Sequence, residues 1–175
     1  MPPDEDCRRC RLGDGRNNIV LPCGHLDSYV VLVGEAPGAK EDLEGVPFVG
    51  RAGKILNGLM AEAGLDRGKV MITNTVKCRP PGNRRPKAEE MAACRPFLQE
   101  ELKGKRFILA LGLSAAEDLL GKKMVMKEVC NRPVQADLGH GNVTIVVTYH
   151  PSACIYRPAA KDVLRNALKM AASYL

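Results

Sequence analysis

The sequence has no apolar run near the length of a membrane span. It also lacks a charged-then-apolar leader, because Met1 to Asp6 is rich in proline and acids, so a soluble, intracellular protein is expected. There is no Gly-x-Gly-x-x-Gly opening a helix and no Gly-Lys-Ser/Thr, which weakens any dinucleotide or P-loop reading. A Gly-x-Ser-x-Gly elbow is missing too, and Ser114 opens a helix in an apolar context, which argues against a serine hydrolase. Internal repeats and low-complexity tracts are absent, and no shift in composition marks a second domain. Phenylalanine occurs only three times, so Phe48, in the middle of a glycine- and proline-rich loop, stands out.

What is present suffices for one domain over residues 1–175: 45% of the residues are hydrophobic, enough to bury a core without disulfide staples. The net charge of +6 points to a polyanionic partner, most commonly nucleic acid. Clustering strengthens that reading. Arg79, Arg84, Arg85 and Lys87 share one Pro/Gly loop, and Lys103, Lys105, Arg106, Lys122, Lys123 and Lys127 form a second basic group.

Four β-branched or apolar runs read as buried strands: Tyr29 to Val33, Val70 to Asn74, Phe107 to Leu111 and Val143 to Val147. Helical periodicity lies between them. Ile55, Leu56, Leu59, Met60 and Ala63 precede Gly64; a helix near Pro86 opens with Glu89 and Glu90; Ser114 to Leu120 ends at Gly121; and Asp162 to Tyr174 closes the chain. Val125 to Leu138 is irregular or a hairpin. This alternation predicts an α/β fold, a mainly parallel sheet with right-handed crossovers and helices on both faces.

In such a sheet Glu35, Asn74 and His150, each just beyond a strand's carboxyl end, meet at one edge. The stretch from Gly34 to Gly53 follows the first strand there and adds Glu41, Asp42 and Phe48. The seven cysteines of an expected intracellular chain suggest metal or reactive thiols rather than disulfides. Cys7 and Cys10 form a Cys-x2-Cys pair, while Cys78 follows a strand and Cys94 lies within a helix. Four thiolates could hold zinc or a 4Fe-4S cluster, and the wide second pair favours iron–sulfur on spacing. Cys23, Cys130 and Cys154 read as small hydrophobes.

Taken in order, Gly34-Glu35-Ala36-Pro37-Gly38, Pro47-Phe48-Val49-Gly50-Arg51-Ala52-Gly53, Ile72-Thr73-Asn74, Lys77-Cys78-Arg79-Pro80-Pro81-Gly82-Asn83-Arg84 and His150-Pro151-Ser152 closely resemble the family 4 uracil-DNA glycosylases, the thermostable iron–sulfur type. The match runs from Cys7 to the last helix. It implies a three-layer α/β/α fold with a central four-stranded mainly parallel sheet, a 4Fe-4S cluster on Cys7, Cys10, Cys78 and Cys94, and excision of flipped uracil from single- or double-stranded DNA. Phe48 would stack on the base, Asn74 would read its edge with the backbone of Ala36, and Glu41 would stand against C5 to exclude thymine. His150 would donate as a neutral ring to O2. Glu35 would stabilise the sugar cation or position water; the family 1 enzymes carry an aspartate where this loop has Ala36. DNA contacts fall to Ser152, Ile155, Arg157, Arg84 and Arg85.

Relatives place a leucine wedge after His-Pro-Ser/Ala; here the residues are Ala153-Cys154-Ile155-Tyr156, so Ile155 or Tyr156 takes that part. No histidine lies between Lys77 and Pro86, so turnover is expected rather than covalent capture of the abasic product. The expected protein is a monomer in the cytoplasm, nucleoid-associated, and no sliding-clamp partner is legible in the sequence. The alternative is a non-catalytic iron–sulfur protein of the same fold that grips nucleic acid, against which the intact Glu35, Asn74 and His150 argue.

Overall fold

The computed structural model describes residues 1–175. The elements run α1 (Leu12–Gly15), β1 (Cys23–Gly24), β2 (Val30–Gly34), α2 (Ala39–Glu44), α3 (Arg51–Glu62), β3 (Met71–Asn74), α4 (Ala88–Leu102), β4 (Phe107–Leu111), α5 (Leu113–Leu120), α6 (Met126–Val129), β5 (Val134–Asp137), β6 (Asn142–Thr148), α7 (Ala153–Tyr156) and α8 (Ala159–Ala172). Every residue of β2, β3 and β4 is buried, as a strand sandwiched between two helical layers must be. Alternate side chains go to opposite faces. Val30 and Leu32 join Leu56, Met60, Leu109, Leu164 and Leu168 under α3 and α8, while Val31 and Val33 join Leu98, Leu102, Ile108 and Ala115 under α4 and α5. Each such leucine contributes roughly 1.5–3 kcal/mol by leaving water. Helix α8 supplies its share through Ala160, Leu164, Ala167, Leu168 and Ala171, a single stripe at helical spacing.

The sheet corrects one expectation. It has six strands in the order β1-β3-β2-β4-β6-β5, not four. The four expected strands form its parallel centre, and β1 and β5 pair antiparallel on the two edges. The irregular segment resolves into α6 and β5, which makes a hairpin with β6; the Asp137 carboxylate accepts the turn N–H groups of Gly139 and Gly141. Helix α4 begins at Ala88 rather than Pro86, where the Glu90 side chain reaches back to accept the backbone N–H of Lys87. The Gly34–Gly53 stretch is not all loop, since it encloses α2, stopped by Gly45 at φ +74°. No helix is long and apolar enough to cross a membrane.

Strand β2 lies between β3 and β4. The chain therefore leaves β2 towards one side for β3 and returns to the other for β4, and the crevice beyond the carboxyl end of β2 is the switch point of an open α/β sheet.

Candidate active site

A cavity of about 460 Å³ occupies that crevice. Glu35 enters it from just after β2, Asn74 from the end of β3, Gly112 from the turn between β4 and α5, Leu113 and Ser114 from the start of α5, and His150 and Ser152 from beyond β6; Phe48 and Glu41 come from the stretch around α2. Glu35, Asn74 and His150 thus converge as the strand order requires.

Asn74 is 3% exposed and its Oδ1 has no hydrogen-bond partner. Buried polar atoms are rarely left in that state, and one facing a cavity is an acceptor waiting for a donor from outside the chain. It caps no turn. A Cβ on Gly34 would lie 2.5 Å from both Asn74 Oδ1 and Phe48 Cζ, so only glycine at the end of β2 lets amide and ring close on the same space.

Phe48 has a left-handed backbone, φ +53°, unusual for an aromatic residue. Neighbours fix it from both sides. The Glu41 carboxylate accepts the N–H groups of Gly38 (3.1 Å), Val49 (2.9 Å) and Gly50 (2.6 Å). On the other side the Arg67 guanidinium donates to the carbonyls of Pro47 (2.5 Å) and Phe48 (3.1 Å) and to Asn57 Oδ1 (2.7 Å). Sequence reasoning missed Arg67, which comes from a turn far along the chain. Gly53 completes the seat, for a Cβ there would sit 2.0 Å from the Phe48 carbonyl oxygen.

His150 stands beside that ring, with centroids 5.7 Å apart and planes tilted by 33°. Its Nδ1 accepts the backbone N–H of Ser152 (3.1 Å) and lies 2.8 Å from Ser152 Oγ. A nitrogen that accepts carries no proton, so the neutral ring is protonated at Nε2. Burial pushes its pKa down from 6.5 to about 4, against a weaker upward pull from the Glu41 charge. The imidazole is therefore neutral at physiological pH and keeps a donor at Nε2.

The backbone carbonyl of Glu35 accepts Thr75 Oγ1 (2.7 Å) and the N–H of Val76 (3.3 Å), which ties it to the turn after β3. Its side chain borders the cavity. Ala36 lines the cavity as well, as does Ser114, whose Oγ is buried without a partner. Ser114 and Gly112 belong to the site by the same strand-end rule that found Asn74, but no polar residue marks the end of β4 itself. Arg84 reaches the rim, held bidentate by Glu90 (2.7 and 2.9 Å); Arg85 pairs with Glu117 at 2.9 Å. On and after α7, Ile155 is half-buried, whereas Arg157 is exposed and Tyr156 is 84% exposed.

Cys7, Cys10, Cys78 and Cys94 line a second, smaller cavity together. Cys10, Cys78 and Cys94 pack with Leu12, Val76, Ile19 and Met91. Arg16 holds the segment by donating to the carbonyls of Cys7 and Glu5 (both 2.8 Å) and approaches Cys78 Sγ at 3.7 Å. Burial pushes the Cys78 thiol up to about 11, opposed by the Arg16 charge, and raises Cys94 as well. No three His, Cys, Asp or Glu side chains close on a point that a single ion would occupy. Cys154 sits in the main core and Cys23 packs against it.

The family model of the Uracil DNA glycosylase superfamily matches residues 22–171. The Type-4 uracil-DNA glycosylase of Pyrobaculum aerophilum is 40% identical over 173 residues, covering 95% of this chain and 88% of the relative. That of Saccharolobus solfataricus is 41% identical over 168 residues, 91% of this chain and 77% of its own. That of Thermotoga maritima is 44% identical over 149 residues, 83% and 76% respectively.

Proposed function

The chain belongs to the uracil-DNA glycosylase superfamily, with type-4 enzymes as relatives, and from that premise we propose that it removes uracil from DNA in the cavity beside Phe48, leaving an abasic site that starts base excision repair. The observation that carries the reading is the unpartnered Asn74 Oδ1. Uracil presents a donor at N3–H and an acceptor at O4, and the two ends of one amide meet both. Phe48 offers its face to the flipped base, and the backbone at Ala36 adds a contact.

Breaking the N-glycosidic bond leaves the electron pair on uracil and a cation on the sugar. His150, neutral with its proton on Nε2, donates to O2, where the negative charge gathers. Glu35 stabilises the sugar cation and orients the water that adds to C1′. Glu41 walls the pocket on the C5 side, where the methyl of thymine would have to fit, and staples the loop that carries Phe48. On the DNA side we assign Ser152, Ile155 and Arg157 around α7, with exposed Tyr156 sharing the wedge role, and Arg84 and Arg85 as pre-positioned phosphate contacts.

Cys7, Cys10, Cys78 and Cys94 suit a 4Fe-4S cluster better than zinc, because they surround a cavity instead of converging on a point. When bound, the cluster is a structural tie that keeps the thiols as thiolates and joins the N-terminal segment to the turn after β3 and to α4. We place the protein, as a single-domain monomer, in the cytoplasm with the nucleoid. Incubation with an oligonucleotide bearing one uracil, followed by alkali, should cut the strand at that position. Binding without an alkali-labile product would replace this reading with the non-catalytic one.

A further inference from the structure

Lys77 is 1% exposed, yet it carries a charged group. Its Nζ donates to Thr73 Oγ1 (2.8 Å), to the carbonyl of Asn74 (2.5 Å) and to Glu101 Oε2 (2.7 Å), and Thr73 Oγ1 donates in turn to the same Glu101 oxygen at 2.9 Å. An ammonium has three protons, and all three are used. Burying such a pair is often no more stabilising than filling the same space with an apolar side chain, so stability alone is a weak reason for it.

Its position offers the explanation. Asn74 is the last residue of β3, and its Oδ1 has no partner within the chain, so no polar contact at that atom fixes the aim of the amide. That aim depends on the backbone beneath it. Of the groups that hold this backbone, Lys77 Nζ is the one on the Asn74 carbonyl itself, and it anchors that carbonyl through Glu101 to helix α4. The same turn holds Glu35 through Thr75.

We propose that Lys77 is a positioning residue for base reading: its enclosed ammonium, through the carbonyl of Asn74, sets the direction of the amide that recognises uracil. This rests on Asn74 being the base reader. A residue that acts only through another loses its effect once that other is removed, whereas a merely structural contribution persists.

The test is a double-mutant cycle on the full-length protein at equal iron content, with single-turnover excision of uracil measured well below every variant's melting temperature. Lys77→Met should slow the wild-type background about 10-fold, and it should change the Asn74→Ala background by less than about 2-fold. Equal losses in both backgrounds would overturn the proposal, as would a Lys77→Met rate equal to wild type. Should Asn74→Ala itself excise uracil at the wild-type rate, the base-reading assignment falls instead. If Lys77→Met does not fold, Glu101→Gln serves the same cycle: it keeps the acceptor and removes the charge. A loss of about 3-fold is then expected with Asn74 present and none without it, equal losses again overturning the proposal.

Discussion

Lowering the pH to 5 separates two accounts of His150. If the ring has its ordinary pKa near 6.5, about 3% is neutral at pH 5; with the pKa pulled by burial to about 4, about 90% is. The relevant quantity is the ratio of single-turnover excision rates, wild type over His150→Ala, so that other titrating groups cancel. At pH 7.5 the ratio should be roughly 10² to 10³, the usual loss for one oxyanion donor. At pH 5 it should fall by only about 10%, because the neutral donor persists; an unshifted histidine would give a fall of about 30-fold, and a cationic donor a rise. Either of the last two results refutes the neutral-donor argument. A His150→Ala rate near wild type refutes the site.

The same shift has a stability consequence with a fixed sign. The folded-state pKa lies below the unfolded one, so between about 6.5 and about 4 the unfolded chain binds more protons, and stability falls as the pH falls. The loss is about 2 kcal/mol at pH 5 and up to about 3 kcal/mol below pH 4, an upper figure because the ring is partly open to the cavity. The melting temperature of the wild type should therefore drop more between pH 7.5 and pH 5 than that of His150→Ala. Equal drops would mean that the ring is not buried as a neutral group.

Replacing Asn74 with Asp removes the donor to O4 and offers cytosine's amino group an acceptor, so uracil excision should fall and weak cytosine excision emerge; undiminished uracil release in both Asn74→Asp and Asn74→Ala would end its role as base reader. The purified protein should be brown with about four irons per chain, and Cys78→Ser should lose iron and solubility before it alters base choice; stoichiometric zinc without broad visible absorbance in anaerobically prepared protein would contradict the cluster. Gly53→Ala drives a Cβ to 2.0 Å from the Phe48 carbonyl oxygen, so a loss of about 2 kcal/mol, or about 4–8 °C in melting temperature, should accompany a raised KM for uracil-containing DNA. An unshifted melting curve would show that the seat of Phe48 yields freely.

The parallel centre of the sheet was legible because strands buried on both faces read as continuous apolar runs; Phe107–Leu111 matches its predicted bounds. The first strand is displaced by one residue, since Tyr29 is half exposed beneath the Arg106 guanidinium while Gly34 completes the ladder against Asn74. The edge strands were not legible. Strand β1 has only two residues, and β5 is mostly exposed, so neither leaves a run of buried positions in the sequence. Strand-end reasoning found Glu35, Asn74 and His150 because each stands where a parallel strand stops. It could not find Lys77 or Arg67, whose bearing on the site runs through the carbonyls of Asn74, Pro47 and Phe48, groups that every residue carries and that no pattern of side chains marks.

Arg67 and Glu41 together hold the loop that carries Phe48. A left-handed phenylalanine costs of order 1 kcal/mol or more and persists only where its surroundings over-determine it. Here the surroundings have opposite charge on the two sides of the residue: the Arg67 cation takes the carbonyls of Pro47 and Phe48, and the Glu41 anion takes the N–H groups of Val49 and Gly50. Each charge meets the end of the peptide dipole that suits it, so reversing the local backbone would break contacts on both flanks at once. The aromatic face is thus set by the backbone of its own loop, with Gly34 and Gly53 leaving the space it needs. On the proposed reading the ring would receive a flipped base without ordering itself first, its conformational entropy having been surrendered in folding and not at the moment of binding.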